Sequence, residues 1–141
     1  MRSTSTDSDL AGSLRLAVAR SARRLRKESG TGLSPSLSAA LATIERHGPL
    51  TPSELALREG VQRPTVTRIV VRLEQESLVA RAGDPDDRRC SLITVTSAGR
   101  ALLAAARSRK DAFLSERLDA LSPEDRATLE RAAVLLEGML E

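Results

Sequence analysis

The residues in this chain that could do chemistry gather between Thr51 and Val95. From Val61 to Leu73 the charged residues are Arg63, Arg68 and Arg72, with no acid among them. Pro64, Thr65 and Thr67 stand between these arginines. A solvated face normally mixes signs. Guanidinium forks, hydroxyls and methyl groups without carboxylates suit phosphate oxygens and base edges instead. Further along, Asp84-Pro85-Asp86-Asp87-Arg88-Arg89-Cys90 sets arginines beside aspartates. An Arg at the tip of a two-stranded hairpin can enter a narrow minor groove, where negative potential is focused. A neighbouring carboxylate such as Asp87 can hold its guanidinium in a fixed fork. The bland alternatives are an Arg-bearing surface helix and a solvated turn whose charges cancel.

Catalysis finds little to work with. His47 is the only His, and it sits beside a Gly-Pro helix end, where it suits the negative end of a helix dipole. No nucleophile–base pair, phosphate-cradling Gly loop or metal cluster is visible, so neither an enzyme nor a cofactor is expected. The single Cys rules out an intramolecular disulfide and a Cys zinc cluster. Phe113 is the only aromatic residue, which excludes an aromatic platform for single strands or RNA. No apolar run approaches the roughly 18 residues of a membrane span and no signal-peptide core follows Met1, so the expectation is a cytoplasmic protein without membrane contact. Of the 22 basic residues only Lys27 and Lys110 are Lys. Arginine forks favour phosphate and guanine, although a GC-rich genome would also enrich Arg. The net charge of +3 is mild, so its placement matters more than its size.

The elements that must position these residues follow from periodicity and punctuation. Residues 1–9 are polar and read as a frayed start. A helix runs from Leu10 to about Ser29 and is broken by Gly30, Thr31 and Gly32. Ser34 caps a second helix with Pro35 in its first turn, ended by Gly48-Pro49. Thr51-Pro52-Ser53-Glu54 is a capping box opening a third helix to about Glu59. Gly60-Val61-Gln62 is a sharp turn, and a fourth helix spans about Arg63 to Ser77. At 100° per residue Val66, Ile69, Val70 and Leu73 share its buried face, opposite Pro64, Arg68, Val71 and Gln75. Residues 78–81 and Ser91–Val95 have strand character around the loop Ala82–Cys90. A helix from about Thr96 to Ala120 and another capped by Ser122 close the chain. The fold class is mainly α with a small β-wing, ordered ααααββαα. A length of 141 residues suits a single domain, 1–141, with a winged helix-turn-helix lobe over 34–98 and dimerisation helices over 10–32 and 100–141.

At this point the chain resembles the MarR family of winged helix-turn-helix transcription regulators. The matching residues are Gly48-Pro49-Leu50-Thr51, Glu54-Leu55-Ala56, Arg63-Pro64-Thr65-Val66-Thr67-Arg68, Leu73-Glu74, Leu78-Val79, the wing Asp84–Arg89, and Thr96-x-x-Gly99-Arg100. The resemblance covers essentially the whole chain. It implies a homodimer on a pseudo-palindromic double-stranded DNA operator, mostly as a repressor, released by a small-molecule effector. It places residues 63–77 in the major groove and Arg89, held by Asp87, in the minor groove. The family commonly has Ser where this chain has Gln62, and Gln is a poor N-cap. The family's peroxide sensors carry a Cys near the N-terminus, whereas Cys90 lies on the wing and reads as a bystander thiol.

The expected DNA-binding residues are therefore Arg63, Pro64, Thr65, Thr67, Arg68, Arg72, Asp87, Arg88 and Arg89. Arg68, Thr65, Thr67 and Pro64 are assigned to base edges, and Arg63 and Arg72 to phosphates. The effector crevice the resemblance implies takes Leu14, Val18, Leu41, His47 and Phe113 as candidate lining. Between Ser13 and Ser29, Arg15, Arg20, Arg23, Arg24, Arg26 and Lys27 face one acid, Glu28. The stretch 115–141 is acidic. The two can pair within or across subunits, and Arg20, Arg23 and Arg24 could alternatively add phosphate contacts. A low-specificity architectural DNA binder and a winged helix used for protein contact are the competing readings.

Overall fold

A computed structural model describes residues 3–141, with side chains described from Thr6 onwards. Its elements are α1 (Ser3–Ser29), α2 (Pro35–His47), α3 (Pro52–Glu59), α4 (Arg63–Gln75), β1 (Val79–Gly83), β2 (Ser91–Val95), α5 (Ser97–Asp119) and α6 (Pro123–Met139). The order is the expected one, mainly helical with one antiparallel pair. The polar start differs: residues 3–9 are helical, while residues 1–2 lie outside the described residues. Once a long helix is nucleated, each added Ser, Thr or Asp costs only a few tenths of a kcal/mol, roughly.

The caps read from the sequence are in place. Ser34 Oγ accepts from the Leu37 amide at 3.3 Å, and Ser122 Oγ from the Asp125 amide at 3.1 Å. Thr51 and Glu54 bond reciprocally, the Glu54 amide donating to Thr51 Oγ1 and the Thr51 amide to Glu54 Oε2. Gly60 turns the chain with φ 65°. The Val61 amide then reaches back to the Ala56 carbonyl at 3.1 Å. That bond satisfies a carbonyl at the end of α3 and requires left-handed backbone, where a Cβ is penalised.

The fourth helix stops at Gln75, short of the expected Ser77. The same device ends it: Ser77 takes φ 61°, and the Leu78 amide bonds the Leu73 carbonyl at 2.9 Å. The first strand correspondingly starts at Val79 and runs to Gly83, because pairing with β2 continues from Val79↔Val95 to Gly83↔Ser91. The wing loop is thus Asp84–Cys90. Leu50 forms a lone bridge to Ile93. Thr96 caps α5 by accepting from the Gly99 amide at 3.1 Å, and its hydroxyl donates to the Ser77 carbonyl at 2.6 Å.

The chain forms two compact units, one of Ser29–Arg107 and one of the segment up to Glu28 with Ser108–Glu141. In the first, Leu41, Ile44, Leu55, Val66, Val70, Leu73 and Ile93 are fully buried. They come from α2, α3, α4 and β2, so the core is what holds the two helices of the turn and the wing together. Truncating one of these to Ala typically costs about 2–5 kcal/mol. In the second unit α6 buries no residue, and Val134, Met139 and Leu140 are at least 70% exposed.

Candidate nucleic-acid interface

The α3–turn–α4 unit presents one bare face. Val66, Ile69, Val70 and Leu73 turn into the core, which leaves Arg63, Pro64, Thr67, Arg68, Val71 and Arg72 exposed and Thr65 half-buried. This is the face expected from the helical period. Arg63 donates to Ser53 Oγ at the start of α3, and Thr67 Oγ1 donates to the Arg63 carbonyl at 3.0 Å. Arg68 reaches Thr65 Oγ1 only at 3.5 Å and joins none of the ion pairs among the described residues. Arg72 instead pairs with Glu76 at 2.9 Å.

The N-terminus of α4 is built against the usual rules. Gln62 makes no side-chain cap, and the first turn holds no acid. Arg63 adds positive charge to the positive end of the helix dipole. Pro64 has no amide to offer and the Thr65 amide bonds the Gln62 carbonyl at 3.0 Å, so the helix dipole and the guanidinium are what would favour an anion here.

The wing is held from within. Asp87 Oδ1 accepts the Arg89 amide at 3.0 Å and lies 3.6 Å from Arg89 Nε. The Arg89 side chain is 94% exposed, so its guanidinium projects while its root is tied. Asp84 turns the other side of the loop by accepting the Asp86 amide at 2.9 Å, and the Asp84 amide donates to the Cys90 carbonyl. Arg88 is exposed beside them. Cys90 Sγ lies 3.6 Å from Asp87 Oδ2. The negative charge of Asp87 raises the Cys90 pKa, with desolvation and the Asp87 hydrogen bond adding to it and Arg89 opposing. A thiol held protonated is a poor nucleophile, which suits a bystander.

Contacts with no signal in the reading of the face are Ser53 to Arg63 and Arg81 to Glu74. The second joins β1 to the end of α4 and so fixes the wing against the exposed helix. Arg72–Glu76 has the i,i+4 spacing of a helical pair, but from residue types Arg72 is assigned to phosphate alone.

The five effector-crevice candidates are divided between the two units, Leu41 and His47 in one and Leu14, Val18 and Phe113 in the other. Leu41 has no exposed surface and belongs to the core of Ser29–Arg107. His47 borders a shallow hollow of about 120 Å³ with Ala42, Thr43 and Arg46. Leu14 is half-buried and Val18 exposed along α1. Phe113 carries the guanidinium carbons of Arg24 and Arg117 over its ring, at 5.0 and 3.5 Å. Among the described residues no His, Cys, Asp and Glu cluster could hold a metal, and no helix is long and apolar enough to cross a membrane.

Two helices sharing a glycine turn, an exposed cationic second helix and a following two-stranded wing define a winged helix-turn-helix. Residues 33–91 match the model of the MarR family. The chain is 37% identical over 137 residues, 96% of each chain, to the HTH-type transcriptional regulator Mb0904 of Mycobacterium bovis. It is 32% identical over 94 residues, 67% of this chain and 61% of the other, to the HTH-type transcriptional repressor MdtR of Bacillus subtilis. A transcriptional regulator from Pseudomonas aeruginosa superposes with a TM-score of 0.89 at 31% identity, covering 98% of both chains. The chain belongs to the MarR family. It is a DNA-binding transcriptional regulator, a non-enzymatic class.

Proposed function

We propose that the chain acts as a homodimeric repressor on a pseudo-palindromic operator, with α4 in the major groove and Arg89 of the wing in the minor groove. One observation carries this reading: the N-terminus of α4 is uncapped, cationic and free of acids, an arrangement that is unfavourable alone and suited to a phosphate. Arg68 and Thr67 lie on the same exposed face, where side chains reach base edges. Thr65 and Pro64 flank them; Arg63 and Arg72 would turn from Ser53 and Glu76 to the phosphate backbone, with Asp87 holding Arg89 and Arg88 beside it. Repression is supported by the name of the MdtR relative. Relief by a small ligand belongs to the same reading.

The dimer is supported by α6. Leu129, Val134, Leu135 and Met139 of α6 and the following Leu140 are all exposed, and a second copy would cover part of this apolar area. An acidic α6 and the basic second half of α1 give two copies complementary charge. An isologous interface doubles each such contact.

Titration of labelled duplex separates this reading from low-specificity architectural binding. Arg68→Ala should weaken binding to the selected site by about 1–3 kcal/mol and relax preference at one base position. Equal affinity for selected and scrambled duplexes, at a stated salt concentration, would favour the architectural reading.

A further inference from the structure

We propose that a groove beside α4 binds a small primary ammonium ion with a short apolar tail, and that filling it weakens DNA binding. The second half of this statement rests on the reading of α4 as the DNA-contacting helix. The groove encloses about 290 Å³ between the first turns of α2, the end of α3 and the first turns of α4, all within Ser29–Arg107. Its apolar wall comes from Ala39, Val61 and Ile69, and its polar groups are Ser36, Thr65 and Glu59. A few convergent polar groups on an apolar wall are the usual makeup of a small-ligand site.

Glu59 sets the chemistry. Its Oε1 is shut off from solvent and has no hydrogen-bond partner among the described residues. Glu59 also joins none of the ion pairs those residues form. It is the last residue of α3, where a carboxylate opposes the negative end of the helix dipole. Two unfavourable features therefore fall on one side chain, and buried polar groups left unpaired are rare enough to need a reason. A cation relieves both. Rotation about the last Glu torsion is soft, so an ammonium in the groove can meet either carboxylate oxygen. A carboxylate or phosphate ligand would be repelled by the same group. The tail then covers Val61 and Ile69.

The coupling to DNA runs through Thr65, which lines the groove and also touches Arg68. An ammonium taking the Thr65 hydroxyl draws it away from Arg68, and its tail occupies the turn of α4 that DNA must approach.

The test uses the full chain with hexylammonium as the probe, and hexanoate and hexanol at equal concentration and ionic strength as controls. Saturating hexylammonium should raise the unfolding midpoint by about 2–4 °C, with no rise from either control. Glu59→Gln and, independently, Ala39→Leu, which adds bulk to the groove wall and leaves Glu59 in place, should each abolish the rise. An equal response to hexanol, or an undiminished response in both variants, overturns the site. Duplex titrations on the same samples should show affinity reduced at least about fivefold by the probe. A midpoint shift with unchanged DNA affinity overturns the coupling. A protein that binds no DNA even without the probe counts against the reading of α4, not against the groove.

Discussion

Asp87 organises the wing through both carboxylate oxygens. Oδ1 serves the Arg89 amide and guanidinium, and Oδ2 faces the Cys90 thiol. The pairing of Asp87 with Arg89 was an expectation from resemblance; the structure adds that the backbone amide is the shorter of the two contacts. Arg89→Ala should weaken duplex binding by about 1–3 kcal/mol, and Asp87→Ala should weaken it less, because Arg89 remains but wanders. Equal losses in a fluorescence titration would mean that Asp87 acts on DNA in some further way. Cys90 gives a second readout. Asp87 holds its pKa above the ordinary thiol value, so the thiolate fraction at neutral pH is small. Asp87→Ala lowers that pKa and should speed iodoacetamide alkylation of Cys90 at pH 7. A slower or unchanged rate would contradict the assigned cause. The guanidinium contact was legible from residue types, but the amide and thiol contacts of Asp87 were not, because the wing loop's hydrogen bonds depend on where its strands stop.

At the scale of elements, helices with a local signature were legible and ends set by distant backbone were not. Ser34, Thr51 and Ser122 announce their helices because a cap is a contact across a few residues. The end of α4 is different, since Ser at a left-handed position carries no signal that Gly60 carries. Ser77→Gly should stabilise the lobe by about 1 kcal/mol, the strain removed exceeding the entropy added. Chemical denaturation checks this, and a lower midpoint would refute it. Gly99 was visible only as a motif residue. A Cβ there would meet the Leu78 carbonyl oxygen at 2.3 Å, so α5 crosses the start of the wing as closely as backbone permits. Gly99→Ala should cost about 1–3 kcal/mol, as overpacking does, and an unchanged midpoint would show that the crossing yields freely. The ion pair from Arg81 to Glu74 lies outside any periodic pattern, because it bridges a strand and a helix end.

At the scale of the molecule, the sequence pattern outlined the lobe better than the surface of the remaining helices. The buried face of α4 follows from a period of 3.6 residues, whereas the missing burial of α6 has no counterpart in its apolar sequence. Apolar residues of α6 left exposed in one chain are what a second copy would cover. Sedimentation equilibrium should find a dimer at micromolar concentration, and Leu135→Glu should shift it to monomer while weakening operator binding. The most direct measurement is selection of bound duplexes from a random library, followed by footprinting of the enriched site. The expected result is an inverted repeat with half-site centres about one helical turn, roughly 34–36 Å, apart, whose enrichment Arg68→Ala and Arg89→Ala both reduce. Failure to enrich any sequence, or a single unrepeated half-site indifferent to those substitutions, would contradict a dimer that reads two grooves through α4 and the wing.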